Sequence, residues 1–132
     1  MNFASFYLRV LGRLTEALEP MRATMEINAS KSEWKNAAVC AGNLSELALT
    51  LGDVAGAVED AEQSVTYADR SGDAFQRIGK RTTYADSLHH AGRWAEADAS
   101  FRDAERMQAE HQRDYPVLYS LGGIPVLRPA PG

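Results

Sequence analysis

The chain has 132 residues, 45% of them hydrophobic and 24% charged, which suits one soluble domain or a few stacked repeats with a modest core. A formal net charge of −4, with Lys and Arg dispersed among acids, excludes a general nucleic-acid binder, which needs a basic surface to displace counterions from phosphates. No apolar run reaches the roughly 20 residues that span a bilayer, and the amino-terminal stretch is broken by Arg9, Arg13 and Glu16, so neither a membrane anchor nor a signal peptide is expected. The lone cysteine, Cys40, cannot form an intrachain disulfide, and a reducing, cytoplasmic setting is the expectation.

In chain order, Met1 to Leu11 reads as a helix with Phe3, Tyr7, Val10 and Leu14 on one face. Gly12 is expected to end it in a left-handed turn. A second helix is expected from about Leu14 to Ala29, burying Leu14, Ala17, Leu18, Met21 and Met25, with Pro20 kinking it or delaying its start. The polar break at Asn28–Glu33 offers Ser30 or Ser32 as the cap of the next helix.

That helix, about Glu33 to Leu51, carries Ala37, Ala41, Leu44, Ala48 and Leu51. After Gly52, Asp53 is a good cap for a helix of about Val54 to Asp69. A break at Ser71–Asp73 precedes a helix of about Ala74 to His90, with Phe75, Ile78, Tyr84, Ala85 and Leu88 as inward candidates. The helix from about Trp94 to Gln112 is expected to bury Trp94, Ala97, Phe101, Ala104 and Met107. Pro116 to Leu121 reads as the first turn of a further helix, abandoned at Gly122–Gly123. The expected division is a helical domain over 1–121 and a Gly/Pro-rich extended tail over 122–132.

One motif recurs. Leu11-Gly12-Arg13-Leu14, Leu51-Gly52-Asp53-Val54 and Ala91-Gly92-Arg93-Trp94 are spaced 40 residues apart, and Ala17, Ala57 and Ala97 keep the same register. Met21, Ala61 and Phe101 follow one turn later. Two helices per period joined by a glycine turn is the grammar of an α-solenoid, in which each hairpin must stack on its neighbour to cover its apolar face.

At these residues the chain resembles a tetratricopeptide repeat protein. Leu44, Ala48, Leu51-Gly52-Asp53, Ala57 and Ala61 follow that family's helix–turn–helix pattern. Tyr84, Leu88, Gly92-Arg93-Trp94, Ala97, Phe101 and Ala104 match it more closely, over a domain of about 1–121. The period is longer than the family's usual unit of about 34. The unit's usual first-helix tryptophan is Ala41 and Arg81 here, and no proline closes a unit. A HEAT-like array or another helical bundle is the alternative architecture.

The resemblance implies an all-α fold, a right-handed α–α superhelix of about three helical hairpins, and a concave groove lined by the first helix of each hairpin. Carried onto this chain, the groove positions are Asn43, Glu46, Leu49 and Thr50, then Thr83, Asp86, His89 and His90. Asn43 matches a position at which some family members clamp a carboxylate. Val39, Gly79 and Thr83 do not, so the resemblance stops short of that clamp. Glu46 and Asp86 instead favour a positively charged partner.

No catalytic arrangement is signalled. Adjacent His89 and His90 point about 100° apart on a helix, whereas metal-binding pairs favour i and i+4. Asp86 stands where it can pair with one of them. Cys40 has no nearby base, phosphate-binding glycine loops are absent, and the carboxylates scatter around their helices. The expected function is a non-catalytic scaffold, without cofactor or metal, that holds a peptide or protein segment in the groove. The alternative is the sensor region of a larger signalling protein that responds to a small ligand or peptide. The helices' apolar ends leave two further readings open, a piece of a longer array or a homo-oligomer joined through its open ends.

Overall fold

The computed structural model describes residues 3–114, 118–119 and 125–126, with side chains described for 9–112. Five helices follow one another: α1 Phe3–Ser30, α2 Trp34–Thr50, α3 Val54–Ser71, α4 Ala74–His90 and α5 Trp94–Asp114. Each packs against the next in sequence, and α2 also meets α4. Beyond α5, the two-residue strands β1 (Leu118–Tyr119) and β2 (Pro125–Val126) pair antiparallel, Leu118 opposite Val126. The expected helical turn at 118–119 is therefore strand; the rest of that turn and of the tail lies outside the described residues.

Three of the four interhelix turns close in the same way. Asp53 N–H donates to the Ala48 carbonyl (2.8 Å) and Gly52 N–H to Leu49 (3.0 Å). Arg93 and Gly92 repeat this on Leu88 and His89, and Glu33 and Ser32 repeat it on Asn28 and Ala29. This closure requires a left-handed residue just past the helix end. Gly52 (φ 84°) and Gly92 (φ 77°) supply it without strain, and Ser32 supplies it at φ 58° despite its Cβ. Ser32 is thus the terminator of α1 and not a cap of α2; the N-cap of α2 is Glu33, whose side chain makes no capping hydrogen bond, and Ser30 donates back to the Ile27 carbonyl. Between α3 and α4, Gly72 (φ 69°) ends one helix, and Asp73 caps the next by accepting from the Gln76 N–H.

Gly12 does not turn the chain. It lies inside α1, a continuous helix of 28 residues, so the described chain holds two hairpins, α2–α3 and α4–α5, preceded by one long helix instead of three hairpins. Asp53 caps the helix after Gly52 by accepting from the Gly56 N–H, whereas Gly92 turns the chain with Arg93 at that position, the residue type that follows Gly12, so a capping side chain does not by itself separate the glycines that turn from the one that does not. Thr15 donates its hydroxyl back to the Leu11 carbonyl, inside the helix. An uncapped, exposed glycine costs a helix about 1 kcal/mol, which is less than breaking it. Pro20 also sits within α1 and does not delay its start.

The core is made chiefly of small residues. Ala37, Ala38, Ala41, Ala57, Ala61, Ala68 and Ala85 are fully buried, with Leu44 and Leu88 as the large side chains among them. Met25, Ala41 and Leu44 form the cluster between α1 and α2, flanked by Leu18, Met21, Cys40 and Tyr67. Val58, Leu88 and Ala97 form a second cluster against Tyr84. Alanine lets helix backbones approach, and buried serines use that proximity. Ser45 Oγ donates to the Ala57 carbonyl of α3 (2.8 Å), and Ser100 Oγ to the Arg81 carbonyl of α4 (2.9 Å).

Three aromatic residues expected inside are outside. Phe75 is 72% exposed, Trp94 67% and Phe101 39%. α5 packs chiefly against α4, so its outer face lacks the neighbouring hairpin that a longer array would supply among the described residues. Trp34 is better placed: it stacks on Tyr67 (5.8 Å between centroids) beneath the Arg70 guanidinium (4.8 Å), tying α2 to the end of α3.

Ion pairs join elements that packing alone leaves free to slide. The buried Asp60 of α3 accepts both amino groups of Arg22 from α1 (3.1 and 3.3 Å). Asp69 accepts from Arg81 (2.7 and 2.9 Å) and from Arg77 (3.1 Å), pinning the end of α3 to α4. The hydrogen bond from Arg81, then that from Arg77, hold the Asp69 carboxyl below its ordinary value of 3.8.

Two outcomes are expected. Ser32→Gly relieves a left-handed non-glycine residue and stabilises the fold by about 1 kcal/mol, read as a rise in Tm of about 4 °C. Because Asp69 is more acidic folded than unfolded, its contribution is complete above pH 3.8 and lost as pH falls through the lower folded value. Urea titrations should therefore show Asp69→Asn less stable than the parent at pH 7, with the gap closing below pH 3.8.

Candidate functional site

α2 and α4, the first helices of the two hairpins, lie side by side, and a cleft of about 260 Å³ opens between them. Glu46 and Leu49 of α2 line it with Thr82, Thr83 and Asp86 of α4, buried Ser45 at its base and Phe101 reaching in from α5. The turn closures explain the alignment. They recur at the same position after both first helices, and Glu46 and Asp86, 40 residues apart, line the same cleft.

Four of the eight sequence-derived groove positions, Glu46, Leu49, Thr83 and Asp86, meet in this cleft. Asn43 is exposed on α2 outside its lining. Thr50 is exposed at the end of α2 and donates to the Glu46 carbonyl (3.0 Å). His89 and His90 are exposed at the end of α4, rings 6.3 Å apart and nearly perpendicular. His90 Nδ1 lies 2.9 Å from the Asp86 carbonyl and 3.8 Å from its carboxylate.

The electrostatics of the cleft turn on a residue that motif matching passes over. Lys80 lies across Gly42: a Cβ built there would be 3.0 Å from Nζ and 3.3 Å from Cε. Gly42 is buried in the interior of α2, and the absent side chain gives the lysine stem its bed. Burial lowers the Lys80 pKa from its ordinary 10.5, and the charge of Glu46 opposes that shift. The two make no ion pair within 4.0 Å, and among the described residues no Arg or Lys pairs with Glu46 or Asp86. Six arginines elsewhere are engaged by carboxylates: Arg22, Arg77, Arg81, Arg93, Arg102 and Arg106.

A second cleft, of about 290 Å³, lies between α3, α4 and α5 and contains Arg81, Tyr84, Glu96 and Ser100. Three of its polar groups already have partners: Arg81 holds Asp69, Ser100 holds the Arg81 carbonyl, and Glu96 pairs with Arg93. The α2/α4 cleft is the better candidate because, among the described residues, neither of its carboxylates forms an ion pair with Arg or Lys within 4.0 Å, and only the longer-range charge of Lys80 acts on Glu46.

Among the described residues no three His, Cys, Asp or Glu side chains cluster to hold a metal ion. Cys40 is half-buried, its Sγ 3.8 Å from the Asn28 amide. No described helix is long and apolar enough to cross a membrane. Comparison of the chain with protein-family models, with curated proteins and with solved structures found no match.

Ser45, Thr82, Phe101 and Lys80 join the site only through the fold. A glycine in a helix interior followed 38 residues later by a lysine is a faint signal of the Gly42–Lys80 contact in the sequence. Gly42→Ala should displace the flexible Lys80 amine into solvent while favouring the helix by about 1 kcal/mol. NMR titration of the Lys80 side chain would then show its pKa moving up toward 10.5, with little loss of stability.

Proposed function

We propose that this chain is a tetratricopeptide-like, non-catalytic interaction module, at home in the cytoplasm, whose α2/α4 groove holds a segment of a partner protein. The observation that carries the reading is the cleft itself. It sets two carboxylates, neither in an ion pair with an Arg or Lys within 4.0 Å among the described residues, beside two threonines, an aliphatic side chain and an aromatic edge. Such a surface suits a peptide side chain with an apolar stem and a polar, positively charged end.

Size separates this reading from its alternative. Small-molecule pockets run to about 300–1,000 Å³ and enclose most of their ligand. At about 260 Å³ the cleft is shaped for a side chain or two of a longer segment, which counts against a sensor for a free small ligand. The solenoid reading is supported by the order of packing, in which each helix meets its neighbour in sequence and the two first helices meet each other. The exposed Trp94 on α5 suits an array that continues or a copy that packs there.

The test compares the intact chain with Glu46→Lys/Asp86→Lys in pull-downs from the native cytosol, after circular dichroism has shown equal helicity. Reversing two contact charges is expected to weaken capture of the specific partner at least tenfold, the equivalent of about 1.4 kcal/mol. Equal capture by both proteins would remove the groove as the binding surface.

A further inference from the structure

We propose that the α2/α4 groove reads two side chains of a partner segment at once: a basic residue between Glu46 and Asp86, and an apolar residue against Val39 and Phe75. The two stand three positions apart in an extended chain of the polyproline type. The inference rests on the reading of this groove as a segment-binding site and names the pattern the segment carries.

The groove face continues beyond the cleft. On α2, Val39, Asn43 and Glu46 are exposed at helical spacing, and on α4 Phe75, Gly79, Thr82 and Asp86 form the matching stripe. Glu46, Thr82 and Asp86 line the cleft, so Val39 and Phe75 stand on the same face, toward the amino-terminal ends of the two helices. The Lys35 ammonium of α2 lies 3.5 Å from the Asp73 carboxylate that precedes α4, which brings those ends together. Val39 is 37% exposed and Phe75 72%, and a Cβ added to Gly79 would meet nothing within 4 Å. Two apolar side chains therefore face solvent beside the open surface at Gly79, and an apolar side chain laid there would leave water with them.

Charge complementarity defines the other end. Among the described residues neither Glu46 nor Asp86 forms an ion pair with Arg or Lys within 4.0 Å; His90 lies 3.8 Å from Asp86. Thr82 and Thr83 donate their hydroxyls to the Ile78 and Gly79 carbonyls of their own helix (3.2 Å each), which leaves their oxygens as acceptors. The planar fork of a guanidinium suits such a set of acceptors. Lys80 lies over Gly42, between the two ends, and its ammonium offers donors to a main chain passing above it. A polyproline-type backbone has no internal hydrogen bonds, so its carbonyls are available to accept them.

Spacing selects the conformation. Val39 precedes Glu46 by seven residues, and Phe75 precedes Thr82 by seven, about 10.5 Å along each helix. A polyproline chain rises about 3.1 Å per residue with three residues per turn, so side chains three apart leave the same face about 9 Å apart. A β-strand places same-face side chains about 7 or 13 Å apart, further from the separation to be matched. A helix, about 10 Å across, is too wide to enter a cleft of about 260 Å³.

The test measures fluorescence anisotropy of three peptides of one composition, carrying the same dye, against the full chain. They are Pro-Leu-Pro-Pro-Arg-Pro, its reverse Pro-Arg-Pro-Pro-Leu-Pro, and Pro-Pro-Leu-Arg-Pro-Pro, in which the two key residues are adjacent. One of the first two, the one that runs in the groove's direction, is expected to bind at least tenfold more tightly than the third. Val39→Ser/Phe75→Ser, both at exposed positions, should weaken that peptide about tenfold and leave its serine-for-leucine analogue unchanged. Glu46→Lys/Asp86→Lys should weaken it likewise and leave the serine-for-arginine analogue unchanged. Equal binding of all three peptides, no binding of any, or losses indifferent to the peptide's own residue overturn the proposal. The groove reading survives that failure if the pull-down partner is still lost on Glu46→Lys/Asp86→Lys; a partner retained by that variant removes the reading and this proposal with it.

Discussion

The structure depends on how closely α2 and α3 approach. Ala37, Ala41 and Ala48 on one helix and Ala57, Ala61 and Ala68 on the other are all buried, so little but methyl groups separates the two backbones. That closeness allows the Ser45 hydroxyl to reach the Ala57 carbonyl across the interface. A larger residue at any of these positions would have no cavity to enter, and overpacking of this kind forces backbones apart at a cost of typically 1–3 kcal/mol. Both edges of the hairpin inherit the geometry: α1 lies against α2, and α4 lies against both α2 and α3.

Small-residue packing also shapes the groove. Helices that meet through alanine leave their longer side chains to the flanks, where they meet solvent or one another. Lys80 is the clearest instance. Its stem lies in the space left by Gly42, and its ammonium gives up part of its hydration there. Asp60 shows the opposite solution on the other side of α2 and α3, where a buried carboxylate is stabilised by the fork of Arg22. Removing either partner there leaves a desolvated charge, whereas the groove carboxylates stay hydrated until something binds.

Much of this was legible in the sequence, for reasons that lie in particular residues. α4 runs over Ala74–His90, the limits its flanking signals indicate, because Gly72-Asp73 and Gly92 state a start and a stop in local chemistry. The Ala57 and Ala97 registers pointed to close packing that needs no long-range information to infer. Gly12 misled because the motif around it matches at three positions, and glycine permits a left-handed turn without requiring one. Ser32 is not legible as a terminator because a left-handed serine is costly, and the backbone hydrogen bonds that close its turn carry no side-chain signature. Phe75, Trp94 and Phe101 looked like core because hydrophobicity says what a residue prefers, whereas exposure depends on which neighbour is present. Half of the groove set converged for a simpler reason, since Glu46 and Asp86 stand 40 residues apart in a chain that repeats its turn at 40.

Arg81 is held from two directions. Its guanidinium is gripped by Asp69 of α3, and its main-chain carbonyl accepts the Ser100 hydroxyl of α5. α4, which supplies one wall of the groove at the next residues Thr82 and Thr83, is therefore clamped at the point where that wall begins. The helix cannot roll about its axis without breaking a bond on each flank. Torque applied to α4 by anything seated in the cleft passes to its neighbours as a shift of the whole hairpin, making α3, α4 and α5 a single mechanical body.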